Sequence, residues 1–226
     1  MKLTKYQFEL ELSNPAKRKF NLVIFGMSGS GKTHWSRLLS HKYGYTHLEF
    51  DELIGKSSQL AGLIKDFSGR DTAEKLGNYF GMPWSKGFEA KEKIYLNLEK
   101  KFMSGSQPMG SILDLTGSCI YHPTEMEAIK ATGLAIYLET SPQKQKEMLE
   151  IFLSNPKPVC WRGVFQMKAG ESNEDALARC YLSLLAHRAE LYPRFADVTI
   201  PYAVHRNLEK ADSFAEEIKK LLPLHI

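Results

Sequence analysis

The chain has 226 residues, 43% of them hydrophobic and 25% charged, and its 30 basic and 26 acidic side chains leave a formal net charge of +4. That length fits one domain with a sizeable core, and the composition excludes a disordered or fibrous chain. So small a positive excess, with no basic stripe, argues against a nucleic-acid partner while suiting an anionic ligand. The three cysteines, Cys119, Cys160 and Cys180, are far apart. Neither a metal knot nor a disulfide framework fits that spacing, and reduced thiols in a cytoplasmic protein do. No apolar run reaches membrane-spanning length, and MKLTKYQFELEL lacks the apolar centre of a signal segment, so no membrane partner is expected.

In chain order, Tyr6, Phe8, Leu10 and Leu12 alternate with Gln7, Glu9 and Glu11, which predicts a half-buried strand within an N-terminal extension, residues 1–19. Phe20 to Phe25 reads as a strand buried on both faces. Gly26-Met27-Ser28-Gly29-Ser30-Gly31-Lys32-Thr33 follows and matches the phosphate loop G-x-x-x-x-G-K-[ST]. Glycines let backbone N–H groups converge on an anion, and the helix that starts here adds its positive end. Lys32 is placed to reach the terminal phosphates, and Thr33 to offer its hydroxyl to Mg²⁺. His34 closes the nucleotide-binding stretch but occupies a first helical turn and is given no chemical role.

Thr46 to Phe50 predicts a second strand. Residues 55–85 read as an irregular, polar insertion, with Asp71 and Glu74 capping one short helix. A longer helix is predicted over Ser85 to Ser104, a strand over Ser111 to Asp114, and a helix from Pro123. Leu134 to Leu138 is a fourth strand, and residues 142–153 a helix. Residues 156–174, opened by Asn155-Pro156-Lys157-Pro158, read as a mobile lid loop. A helix from Glu174 to Leu191, a fifth strand over Asp197 to Ile200 and a final amphipathic helix complete the chain. Strands alternating with helices predict a single α/β domain, a parallel sheet covered on both faces.

A phosphate loop serves kinases, motors and GTPase switches. No N-K-x-D signature is present, and a late lid suits a kinase that shuts water away from ATP. The expected cofactors are ATP and Mg²⁺, and the expected partner is a small molecule with a hydroxyl group. Past the carboxyl ends of the strands lie Glu49, Asp51 and Asp114. Asp51 is assigned to the acceptor hydroxyl, Glu49 and Asp114 to the metal.

The chain resembles the shikimate kinase family. The phosphate loop and Glu49-Phe50-Asp51-Glu52-Leu53-Ile54 follow that family's D-x-D-x-x-I segment, and Tyr181 to Tyr192 follow its Y-x-x-L-x-x-x-R-x-x-L-Y. The resemblance implies a P-loop kinase three-layer sandwich with strand order 2-3-1-4-5. The N-terminal strand is then expected at a sheet edge. The resemblance also makes Asp51 the base, Arg188 the grip on an acceptor carboxylate, and Lys157 or Arg162 the lid cation. Two departures stand out. The family's G-F-R reads Gly87-Phe88-Glu89, and its G-G-G reads Thr116-Gly117-Ser118. Glu89 facing an acceptor carboxylate would repel it, so an acceptor other than shikimate is expected beside Asp51, Glu89, Gly117 and Arg188. The alternatives are a nucleotide- or metabolite-binding regulatory module without phosphotransfer and, less favoured by the charge, a nucleic-acid end kinase. A monomer or weak dimer is expected.

Overall fold

Leu22 to Phe25, Ile112, Leu113 and Leu134 to Leu138 are almost wholly inaccessible to solvent, as continuous apolar runs require of strands covered on both faces. In the computed structural model, which describes residues 3–15, 18–156 and 158–224, they belong to one parallel sheet. Its strands are β1 (Asn21–Gly26), β2 (Thr46–Glu49), β3 (Ser111–Asp114), β4 (Gly133–Leu138) and β5 (Val198–Ile200), in the predicted order β2-β3-β1-β4-β5. Asn21 ties the start of the sheet together. Its Oδ1 accepts the Ser111 N–H at 2.9 Å, and its Nδ2 donates to Thr132 Oγ1 at 3.2 Å. Gly133 is obligatory there, because a Cβ would lie 1.9 Å from the Asn21 carbonyl oxygen.

Alternate strand residues feed two cores. Leu22, Ile24, Ile112, Leu134 and Ile136 pack with helices α2 (Lys32–Tyr43) and α11 (Ala211–Leu221). Val23, Phe25, Leu113, Ala135 and Tyr137 face the other layer. That layer includes α3 (Phe50–Gly55), α6 (Phe88–Met103), α7 (Pro123–Lys130), α8 (Pro142–Ser154) and α9 (Asn173–Leu191). The helices α4 (Ser58–Ile64) and α5 (Thr72–Phe80) lie between α3 and α6, and α10 (Tyr202–His205) follows β5.

Three expectations need correction. The N-terminal segment is a helix, α1 (Lys5–Ser13), not an edge strand. Thr4 and Gln7 form a reciprocal capping box, with Gln7 N–H to Thr4 Oγ1 at 3.2 Å and Thr4 N–H to Gln7 Oε1 at 2.9 Å. Phe8 is buried while Tyr6 and Leu10 are 67% and 46% exposed, so the apparent period of two was not a burial pattern. Instead Glu11 accepts the N–H groups of Lys19 and Phe20, and Glu9 meets Lys219 of α11 at 2.6 Å. Second, the 55–85 insertion holds two helices rather than one. Ser57 caps α4 by accepting the Leu60 N–H at 3.1 Å. Asp71 caps α5, but Glu74 turns to the Arg70 N–H and leaves the box half made. Third, the loop expected to be mobile has a buried centre: among the described residues between α8 and α9, Cys160 and Trp161 are buried.

Candidate active site

The carboxyl ends of β1, β2 and β3 open into a cavity of about 670 Å³. Its phosphate-loop edge is made by backbone. β1 stops at Gly26, where φ is +150° and a Cβ would lie 2.6 Å from the Leu138 carbonyl oxygen. Gly31, at φ +100°, is the residue from which α2 starts. Ser28 and Gly29 face the cavity. Lys32 is 7% exposed, and its Nζ folds back onto the Met27 carbonyl at 3.1 Å. Ser30 Oγ is buried without a partner among the described residues. A glycine cradle, an orphaned hydroxyl and a parked lysine fit a polyphosphate. Trp35, stacked on Phe214 at 4.2 Å, fixes the helix behind the loop. His34 is exposed, its ring edge-on to Trp35.

β2 and β3 bring their last residues side by side, Glu49 opposite Asp114. Asp114 is buried beside His47 Nε2 at 3.3 Å, and Glu49 accepts from Arg37 at 3.0 Å. One ligand atom from each of His47, Glu49 and Asp114 lies within 4.8 Å of the others. Thr33 sits half-buried in the first turn of α2. The oxygen donors among these residues, on Thr33, Glu49 and Asp114, fit a hard divalent cation. The sequence reading missed His47, although its place two residues before Glu49 on one strand puts it on the same face.

Asp51, in the first turn of α3, lines the cavity. It is open to solvent through the mouth yet enclosed by protein on its other sides. Burial pushes its carboxyl up to about 6; Lys32 pulls against that, while Glu99, Asp114 and Glu49 add to it. Gly117 lies opposite, where a Cβ would come within 3.3 Å of the Ser28 nitrogen and 3.7 Å of Arg188 Nη1. Arg188, in the last turn of α9, is 7% exposed. Its Nε donates to the Tyr121 hydroxyl at 3.1 Å and its Nη2 to the Cys160 carbonyl at 2.8 Å. No carboxylate pairs with it among the described residues. The walls between these polar groups are apolar, including Ile54, Leu60, Phe80, Tyr95, Met148 and Leu184.

Two predicted site residues lie elsewhere. Glu89 is exposed, and with Arg162 it lines a second cavity of about 590 Å³ on the far side of Tyr121. Gly87 ends the preceding turn and Phe88 takes the buried place, which turns Glu89 outward. Arg162 adopts φ +53°, and its N–H donates to Glu92 at 3.1 Å, next to the Trp161 N–H on the same carboxylate. Its guanidinium lies over the Tyr121 ring at 5.7 Å. The lid-cation position Lys157 falls outside the described residues. Lys144, which the sequence reading passed over, reaches the cavity from the first turn of α8.

A family model described as shikimate kinase matches residues 66–221. A shikimate kinase of Thiobacillus denitrificans is 28% identical over 186 residues, covering 82% of this chain and 83% of that one. One from Dehalococcoides mccartyi is 26% identical, covering 81% and 85%. The solved structure of the Acinetobacter baumannii shikimate kinase in complex with shikimate superposes with a TM-score of 0.55 at 19% identity, over 94% of each chain. The chain belongs to the shikimate kinase family and is, with it, an ATP-dependent small-molecule kinase.

Proposed function

We propose that this member of the family transfers the terminal phosphoryl group of ATP to the hydroxyl of a small, carboxylate-bearing alcohol other than shikimate. One observation carries the reading. The phosphate loop, Asp51 and a buried arginine with no acidic partner among the described residues all border one cavity, while the family's second arginine position is an outward-facing Glu89. The expected repulsion between Glu89 and an acceptor carboxylate is therefore corrected to a simple loss of one cation. What supports a different acceptor is that loss, together with Ser118 in place of a glycine in the cavity lining and the apolar walls.

In this scheme the amides of residues 26–33 bind the triphosphate, and Lys32 exchanges the Met27 carbonyl for a phosphate oxygen. Thr33, Glu49 and Asp114 would hold Mg²⁺, which when bound supplies charge neutralisation at the transferred group. Arg188 fixes the acceptor through its carboxylate, bidentate geometry being what a guanidinium does best. Asp51 accepts the hydrogen bond of the acceptor hydroxyl. As the alcohol oxygen bonds to the terminal phosphorus and the bond from that phosphorus to the departing ADP breaks, the proton passes to Asp51. A group titrating at about 6 is ionised at neutral pH and close enough in proton affinity to take part.

The test is transfer from labelled ATP to a panel of hydroxylated carboxylates with shikimate included. Transfer to one of them is expected, with kcat/KM for shikimate about 100-fold lower than for the best acceptor. Arg188→Lys is expected to raise KM for that acceptor by about tenfold or more. Brisk turnover of shikimate would remove the specificity claim. No transfer to any alcohol, while ADP with Mg²⁺ still raised thermal stability, would favour the regulatory module.

A further inference from the structure

Away from the phosphate loop the main cavity continues into a chamber that phosphoryl transfer alone does not explain. Arg188, Tyr95, Phe80 and Leu184 line its deep end, and all four are buried. Toward solvent the lining comes from two helices, with Leu76 and Ala73 on α5 and Met148 and Ile151 on α8. Pro158 covers part of it, its ring 3.6 Å from where a Cβ on Gly77 of α5 would stand. Ile151 is 55% exposed although it lines this cavity. Apolar surface left open to water at a concave site marks a place for an apolar partner. The orientation of Arg188 fixes where the polar end of such a partner sits. Its Nε and one Nη2 hydrogen are spent on the Tyr121 hydroxyl and the Cys160 carbonyl. That leaves Nη1, beside Gly117, and the second Nη2 hydrogen to take a carboxylate end-on.

We propose that the acceptor is a hydroxy acid with an apolar chain, its carboxylate on Arg188, its hydroxyl toward Asp51 and its chain laid along α5 and α8. This names the acceptor class of the kinase reading and rests on that reading. Leu60, Leu76, Phe80, Leu184 and Ile151 carry no hydrogen-bonding side chain. A body ringed with hydroxyls would leave polar groups unpaired against them. Methylenes meet the same walls without that penalty and release water from both surfaces. The size of the site agrees. A cavity of about 670 Å³ falls in the class, roughly 300–1,000 Å³, that encloses a drug-sized ligand. Its apolar wall also arrives with the added segment, since Leu60 on α4 and Ala73, Leu76 and Phe80 on α5 all lie within residues 55–85.

The test takes saturated β-hydroxy acids of four, six, eight and ten carbons to the full chain. Binding is measured by calorimetry with ADP and Mg²⁺ present, and transfer from labelled ATP is followed in parallel. Affinity should tighten by about two- to fourfold for each methylene added, and kcat/KM should climb with it. Ile151→Glu, at a position exposed enough to leave the fold intact, should cut the gain from four to ten carbons by about tenfold. Ile151→Leu should keep that gain. Affinity that stays flat along the series, or no binding by any member, overturns the proposal. A gain that Ile151→Glu leaves whole overturns the course along α8. The kinase reading fails separately. Affinity that rises with chain length while no member receives phosphate would keep the ligand and its placement and sink the transfer. Transfer indifferent to chain length would do the opposite.

Discussion

The two ends of the main cavity are built from different material. At the phosphate end the contacts are main-chain amides, so what matters is where the chain has no side chain: Gly26 and Gly31 hold backbone angles that other residues resist. At the acceptor end the contacts are side chains brought from α3, α6, α9 and the loop after β3, distant in sequence. The first kind of site tolerates no substitution and keeps its spacing. The second can exchange members, provided their partners change with them, as the hydroxyls of Thr116 and Ser118 and the imidazole of His122, hydrogen-bonded around the buried Glu99, illustrate.

The contrast is sharpest at Lys32. Lys32→Ala should lower phosphoryl transfer by about 100- to 1,000-fold and abolish most stabilisation by ADP with Mg²⁺, read by calorimetry and thermal melting; near-normal activity would break the phosphate-end argument. Next is Asp51→Asn, expected to cost about 100-fold or more in kcat. In the wild type, kcat/KM should climb as pH rises and level off above about 6, where Asp51 is ionised. The same group gives a stability signature. Folding raises its proton affinity, so the folded chain binds more protons than the unfolded one between the ordinary carboxylate range and about 6. Ionising Asp51 thus opposes folding increasingly as pH rises through that window. Asp51→Asn should melt above the wild type at about pH 8 and level with it at about pH 3.

Gly117→Ala probes the seam between the two ends. A methyl 3.3 Å from the Ser28 nitrogen forces a small shift, and affinity for ADP with Mg²⁺ should weaken by about three- to tenfold. The smallest effect belongs to Glu89→Arg. Glu89 faces solvent and the second cavity, so turnover of shikimate should change by less than about threefold. A large gain would mean that position 89 reaches the acceptor after all.

How much of this could be read from residues alone follows the same division. The sheet order, the phosphate loop and the convergence of Asp51, Gly117 and Arg188 were legible, because each rests on a local spacing or a familiar motif. The first helix was misread because Tyr6, Phe8, Leu10 and Leu12 alternate, although T-x-x-Q at Thr4 and Gln7 announced a helix start. Glu89 was placed in the acceptor pocket, and Arg162 over the phosphates as a lid cation, because a motif gives position along the chain and not the direction in which a side chain leaves it. Glu99 carried no signal. Mid-helix glutamates are usually solvated, and only the fold reveals the two hydroxyls and the imidazole around this one.

Glu92 grips the N–H groups of both Trp161 and Arg162, so the covering segment is fastened at its middle by a single carboxylate. On one side of that grip Pro158 to Cys160 border the main cavity, and on the other Arg162 and Gly163 border the neighbouring hollow. A single carboxylate thus stands behind one wall of each hollow.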